Sequence, residues 1–149
     1  MTKGGYQYPT AFTRWGQEEV DAIDRVILSE QFTMAHETVA AEYDLAKYHG
    51  RKHAILVNSG SSANLIAVAA AVRHYGLNGI ENAIVPALAW PTTYAPLVQH
   101  GFHLRPIDCD TTWNISVEDL RREIQQSKPS LVMVASILGS SSHWPVKFS

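Results

Sequence analysis

A chain of 149 residues has room for one sizeable hydrophobic core, and 46% hydrophobic against 17% charged residues is the balance of an ordinary globular protein. A formal net charge of −2 without any Lys/Arg run excludes a basic nucleic-acid footprint, and the single cysteine, Cys109, excludes an intrachain disulfide or a cysteine-based metal site. The longest apolar run, Leu65 to Val72, is too short to span a bilayer, and the opening "MTKGGYQYPT" lacks the apolar stretch of a secretory signal. The expectation is a cytoplasmic protein with no membrane and no nucleic-acid partner.

In chain order, residues to Thr13 read as an extended arm rich in Gly, Pro and aromatics. From Gln17 to about Glu30 the apolar positions Val20, Ile23 and Ile27 recur at helical spacing, and Glu18 and Glu19 suit the positive end of that helix. After "QFTMAHE", a second helix fits Thr38 to Tyr48, with Gly50 as its stop. Four β-rich runs then alternate with helices. "HAILVNS" (His53–Ser59) precedes a helix from about Ser62 to Tyr75, and "NAIVPA" (Asn82–Ala87) precedes "TTYAPLVQHG", a helical segment interrupted by Pro96. "FHLRPID" (Phe102–Asp108) precedes a helix opened by Ser116 and Asp119 and running to about Gln126; "SLVMVAS" (Ser130–Ser136) closes the series. The alternation predicts an α/β fold, a mostly parallel sheet with flanking helices. It also predicts an organisation of residues 1–50 as arm and helices, 51–139 as βα repeats and 140–149 as an atypical tail, with no internal repeat.

The cluster Asn58-Ser59-Gly60-Ser61-Ser62 falls where a strand gives way to a helix, the place at which open α/β sheets bind ligands. The first N–H groups of a helix lack intrahelical acceptors and sit at the positive end of its dipole, so they suit a phosphate. Gly60 lets backbone approach, and Ser61 and Ser62 add hydroxyl donors. The plainer alternative is that one serine caps the helix and nothing binds. The turn is neither a Walker loop nor a dinucleotide fingerprint. Trp90, at the next strand exit, is either packing or a flat surface for a planar ring that carries the phosphate. The spacing of His49 and His53 is helix-like, but Gly50 ends the helix between them, so a metal pair is not expected. Asp108 and Asp110 are expected to bind turn N–H groups, and Cys109 has no basic neighbour to activate it.

Three ordered motifs, "VNSGSSANL", "IVPALAWPTT" and "GFHLRPIDCDTTWNIS", resemble the DegT/DnrJ/StrS-type family of pyridoxal-phosphate-dependent sugar aminotransferases, including its 4-keto-6-deoxyhexose 3-dehydrase branch. "YPTAFTRWGQEEVDAIDRVILSEQFTM" is similar to that family's opening helix and following loop. The resemblance runs from about Tyr8 to Gly139. It implies part of the large domain of the aspartate aminotransferase-like, fold type I transferases. It further implies pyridoxal 5'-phosphate or pyridoxamine 5'-phosphate as cofactor, its phosphate on Gly60, Ser61 and Ser62 and its ring on Trp90. The implied substrate is a nucleotide-linked keto sugar in polysaccharide or deoxysugar synthesis, and the implied assembly a homodimer or a pairing with a companion chain. "FTM" and "SGSSANL" lean towards the 3-dehydrase branch. The family's acidic partner of the pyridine nitrogen, and its Schiff-base lysine or the histidine that replaces it, come later than this sequence reaches. Lys147 in "HWPVK" resembles the lysine segment faintly but arrives too early, so no catalytic residue is assigned. The alternative is a non-catalytic truncated remnant that keeps weak cofactor or partner binding, and in either case the isolated chain is expected to be marginally stable and to self-associate.

Overall fold

The structure is a computed structural model that describes residues 15–78 and 80–140. The expected N-terminal arm, and the tail beyond Ser140 with Lys147, lie outside the described residues. The chain forms two compact units that divide between Leu56 and Val57.

The first unit carries two helices, α1 (Gln17–Ser29) and α2 (His36–Tyr48). The Glu19 carboxylate accepts the Gly16 N–H at 2.7 Å and so satisfies a donor at the start of α1. The Arg25–Glu37 ion pair links the two helices at 3.4 Å; both side chains are more than half exposed, so it adds little stability. Gly50 takes the left-handed conformation expected of a helix stop (φ +60°), and the next N–H, that of Arg51, closes onto the Ala46 carbonyl at 2.8 Å. The apolar stripe Val20, Ile23 and Ile27 of α1 remains exposed.

The second unit is built on a parallel three-stranded sheet of β1 (Asn82–Pro86), β2 (His103–Ile107) and β3 (Leu131–Val132) in the order β2-β1-β3. Central β1 alternates its side chains between two layers. Ala83 and Val85 meet Val68 of α3 (Gly60–Tyr75), Leu97 of α4 (Pro91–Gln99) and Phe102; Ile84 meets Ile107, Ile115 and Leu120 of α5 (Val117–Ser127) on the opposite face. A strand buried on both faces needs apolar residues at every position, which is why "NAIVP" does not alternate. Ser116 caps α5 as expected, its Oγ accepting the Asp119 N–H at 3.3 Å.

Two expectations need correction. Four strands were predicted, but His53–Ser59 forms none: Ile55 is 73% exposed, and the Leu56 N–H goes to Glu42 Oε1 at 2.9 Å instead of to a ladder. A β-rich run becomes a strand only against a neighbour that takes its N–H and C=O groups, and none stands beside it among the described residues. The fourth run contributes only Leu131–Val132, although the N–H groups of Ser130 and Met133 extend its bonding to Asn82 and Ile84. Pro96, conversely, does not interrupt its helix. Proline removes the N–H that would bond the carbonyl four residues back, Thr92, and Asn64 Nδ2 of α3 donates to that carbonyl at 3.4 Å.

Candidate functional site

The Ser-Gly-Ser-Ser turn resolves into a cap and an open end. Ser59 is the N-cap, in extended backbone (φ −162°, ψ 160°), so α3 begins at Gly60, two residues before the expected start. Ser59 Oγ accepts the Ser62 N–H at 3.1 Å and donates its own proton to Ser62 Oγ at 3.2 Å. Because the Ser62 hydroxyl oxygen accepts that proton, its own O–H is not used in this bond. Gly60 and Ser61 occupy the first two helical positions, whose N–H groups have no acceptor inside an α-helix, and the space a Cβ on Gly60 would enter is empty to 4 Å. The capping reading therefore holds for Ser59, and it leaves the Gly60 and Ser61 N–H groups without an intrahelical acceptor at the positive end of the α3 dipole.

Trp90 sits at the N-cap of α4, where β1 leaves the sheet, and is 81% exposed. The Asn64–Thr92 bond links the fifth residue of α3 to the second of α4, so the serine turn and Trp90 lie at the same end of one helix pair. Beside Trp90 opens a cavity of about 580 Å³, lined by Leu88, Trp90, Pro91, Trp113, Ile137 and Ser140, among others. Its walls come from the segments after β1, β2 and β3, the carboxyl edge of the parallel sheet. Ser59, Ser61 and Ser62 do not line this cavity, so the structure divides the candidate site into an apolar hollow and a helix N-terminus.

The loop after β2 is built as the carboxylates suggested. Asp108 Oδ1 accepts the Cys109 N–H at 2.8 Å, and Asp110 Oδ1 accepts the Thr112 N–H at 2.7 Å and the Thr112 hydroxyl at 2.5 Å. The Thr112 hydroxyl, then its N–H, holds the Asp110 carboxyl below its ordinary 3.8, by stabilising the charged form. Two residues here escaped the sequence reading. Trp113 faces the cavity from a left-handed backbone (φ +65°), and Asn114, the buried polar residue next to it, bonds to both the loop and the segment after β3. The alternation Asp110-x-Thr112-x-Asn114 of turn-forming residues around an aromatic was the signal that could have found them. Among the described residues no group of three His, Cys, Asp or Glu could hold a metal, and no helix is long and apolar enough to cross a membrane.

Comparison with known proteins adds three findings. The model of the DegT/DnrJ/EryC1/StrS aminotransferase family matches residues 13–145. The chain is 36% identical to a GDP-4-keto-6-deoxy-D-mannose 3-dehydratase of Yersinia pseudotuberculosis, over 94% of this chain and 36% of that protein. It superimposes on the Escherichia coli GDP-4-keto-6-deoxy-D-mannose-3-dehydratase, solved with bound hydrated PLP, with a TM-score of 0.81 and 37% identity over 89% of this chain and 35% of the other. The fold class is thus the expected α/β class of fold type I PLP-dependent transferases, and the chain spans about a third of the length of these relatives.

Proposed function

The chain belongs to the DegT/DnrJ/EryC1/StrS aminotransferase family, and from that premise we propose that it is the phosphate- and ring-binding portion of an enzyme that removes the 3-hydroxyl of a nucleotide-linked 4-keto sugar in deoxysugar or polysaccharide synthesis. The branch assignment draws on the Yersinia and Escherichia relatives, both named as 3-dehydratases, and on "FTM" and "SGSSANL" in this sequence. The observation that carries the reading is the pairing of two helix N-termini at the sheet's carboxyl edge. One presents free donors at Gly60, Ser61 and Ser62, and the other presents the exposed indole of Trp90.

These residues fit pyridoxal or pyridoxamine phosphate. Gly60 and Ser61 offer N–H groups and Ser61 and Ser62 offer hydroxyls to the phosphate, in the empty space over Gly60. Trp90 offers its face to the pyridine ring, and Leu88 and Ile137 offer it apolar neighbours. When bound, the cofactor supplies the electron sink that the departure of a sugar hydroxyl requires. No described residue is assigned a proton-transfer role. The reading takes the working assembly to be a homodimer, or a complex with a companion chain, in the cytoplasm.

Calorimetric titration of the chain with pyridoxamine 5'-phosphate and with unphosphorylated pyridoxamine tests the proposal. Measurable binding of the phosphorylated compound, at least tenfold tighter than that of pyridoxamine, is expected. Equal affinity for the two would remove the phosphate role from α3.

A further inference from the structure

We propose that Trp113, on the loop after β2 but lining the same cavity as Trp90, is a second aromatic contact for the cofactor ring, and that Asn114 is the positioning residue that presents it. The inference rests on the cofactor reading above and assigns two residues that reading does not use.

Three observations carry it. First, Trp113 is 65% exposed and forms part of the wall of the 580 Å³ cavity together with Trp90. None of the side chains lining that cavity is charged, which suits the face of a planar ring better than a sugar or a diphosphate. Second, Trp113 holds a φ of +65°, a conformation that bulky side chains rarely adopt. Strain of this kind persists only where the surroundings over-determine it, and it gathers at ligand clamps. Third, the surroundings do over-determine it. Asn114 is 2% exposed, and its Nδ2 donates to Thr112 Oγ1 at 3.2 Å and to Ser140 Oγ at 3.0 Å, while its Oδ1 accepts the Ile137 N–H at 3.3 Å. On the backbone, the Trp113 N–H bonds to the Asp110 carbonyl at 3.0 Å and the Asp110 N–H to the Asn114 carbonyl at 2.9 Å. The next residue, Ile115, is locked in the core. Asn114 thereby joins the loop after β2 to the turn Ile137–Gly139, and Trp113 is held between fixed points with its indole left in the cavity.

The effect is read by calorimetric titration of the full chain with pyridoxamine 5'-phosphate. An aromatic contact of this kind predicts that Trp113→Ala weakens binding roughly 3- to 10-fold and that Trp113→Phe restores most of it. Asn114→Ala should weaken binding in the parent chain but have less than about a twofold further effect in the Trp113→Ala background, because both changes remove the same contact. A merely structural role for Asn114 would give equal losses in the two backgrounds. Inorganic phosphate, titrated alone, should bind parent and Trp113→Ala chains equally. If Trp90→Ala weakens pyridoxamine phosphate binding while Trp113→Ala leaves it at the parent value, the second contact is refuted and the cofactor reading survives. If the parent chain does not bind the compound at all, both fall.

Discussion

Replacing Asn64 with Ala should destabilise the chain, and replacing Pro96 should cancel that effect. Asn64 Nδ2 donates across 28 residues to the carbonyl of Thr92, the one that Pro96, lacking an N–H, cannot bond. A net intramolecular hydrogen bond contributes about 0.5–1.5 kcal/mol, and burying an unmet carbonyl costs more. The 3.4 Å length and the exposure of Thr92, whose carbonyl water can reach, put Asn64→Ala near the lower end, about 0.5–1 kcal/mol. Pro96→Ala returns an N–H to the helix and satisfies Thr92 from within, so in that background Asn64→Ala should cost less than about 0.3 kcal/mol. Urea unfolding followed by far-ultraviolet circular dichroism on the four chains of the double-mutant cycle measures the difference. Equal losses from Asn64→Ala with and without Pro96 would refute the idea that Asn64 compensates for the proline.

Other outcomes follow from single features. Gly50→Ala meets no neighbouring atom within 4 Å but keeps a φ of +60°, so it should cost about 1–2 kcal/mol of helix-end strain in thermal or urea melts. Asp110 has its pKa lowered in the folded chain, so the stability it contributes is full above its ordinary 3.8 and is lost as pH falls through the lower folded value. Asp110→Asn should remove that part of the acid dependence of unfolding, and an unchanged acid limb would mean the Thr112 bonds do not form. The exposed stripe Val20, Ile23 and Ile27 and the exposed apolar pair Ile55 and Leu56 predict self-association. Size-exclusion chromatography with light scattering should give a mass above that of one chain, and a stable monomer at tens of micromolar would contradict this.

What was legible in the sequence was what is decided locally. Glu19, Gly50 and the Ser116–Asp119 pair act within a turn of themselves, so α1, α2 and α5 could be bounded to within two residues. The unbroken apolar stretch of β1 announced a strand covered on both faces. His53–Ser59 carries the same local signal and forms no strand, because pairing is a property of two segments and only one of them is in that string. Pro96 misled for a related reason: the local rule was right about the missing bond, and the remedy lay at Asn64. The serine cluster marked a helix start, but only the structure shows that Ser59 is the serine consumed as the cap and that α3 begins at Gly60. Trp113 was hidden because its interest lies in a left-handed φ and in the buried bonds of Asn114, neither of which residue spacing reveals.

The first turn of α3 is proposed to hold the cofactor phosphate while Trp90 holds its ring. Backbone and indole amide NMR of the chain, titrated with pyridoxamine 5'-phosphate, tests it most directly. The N–H resonances of Gly60 and Ser61 should move downfield as hydrogen bonds to the phosphate form, the Trp90 indole should shift in step with them, and pyridoxamine without phosphate should leave Gly60 and Ser61 unmoved. Saturable shifts confined to other segments, with Gly60, Ser61 and Trp90 unchanged, would contradict it.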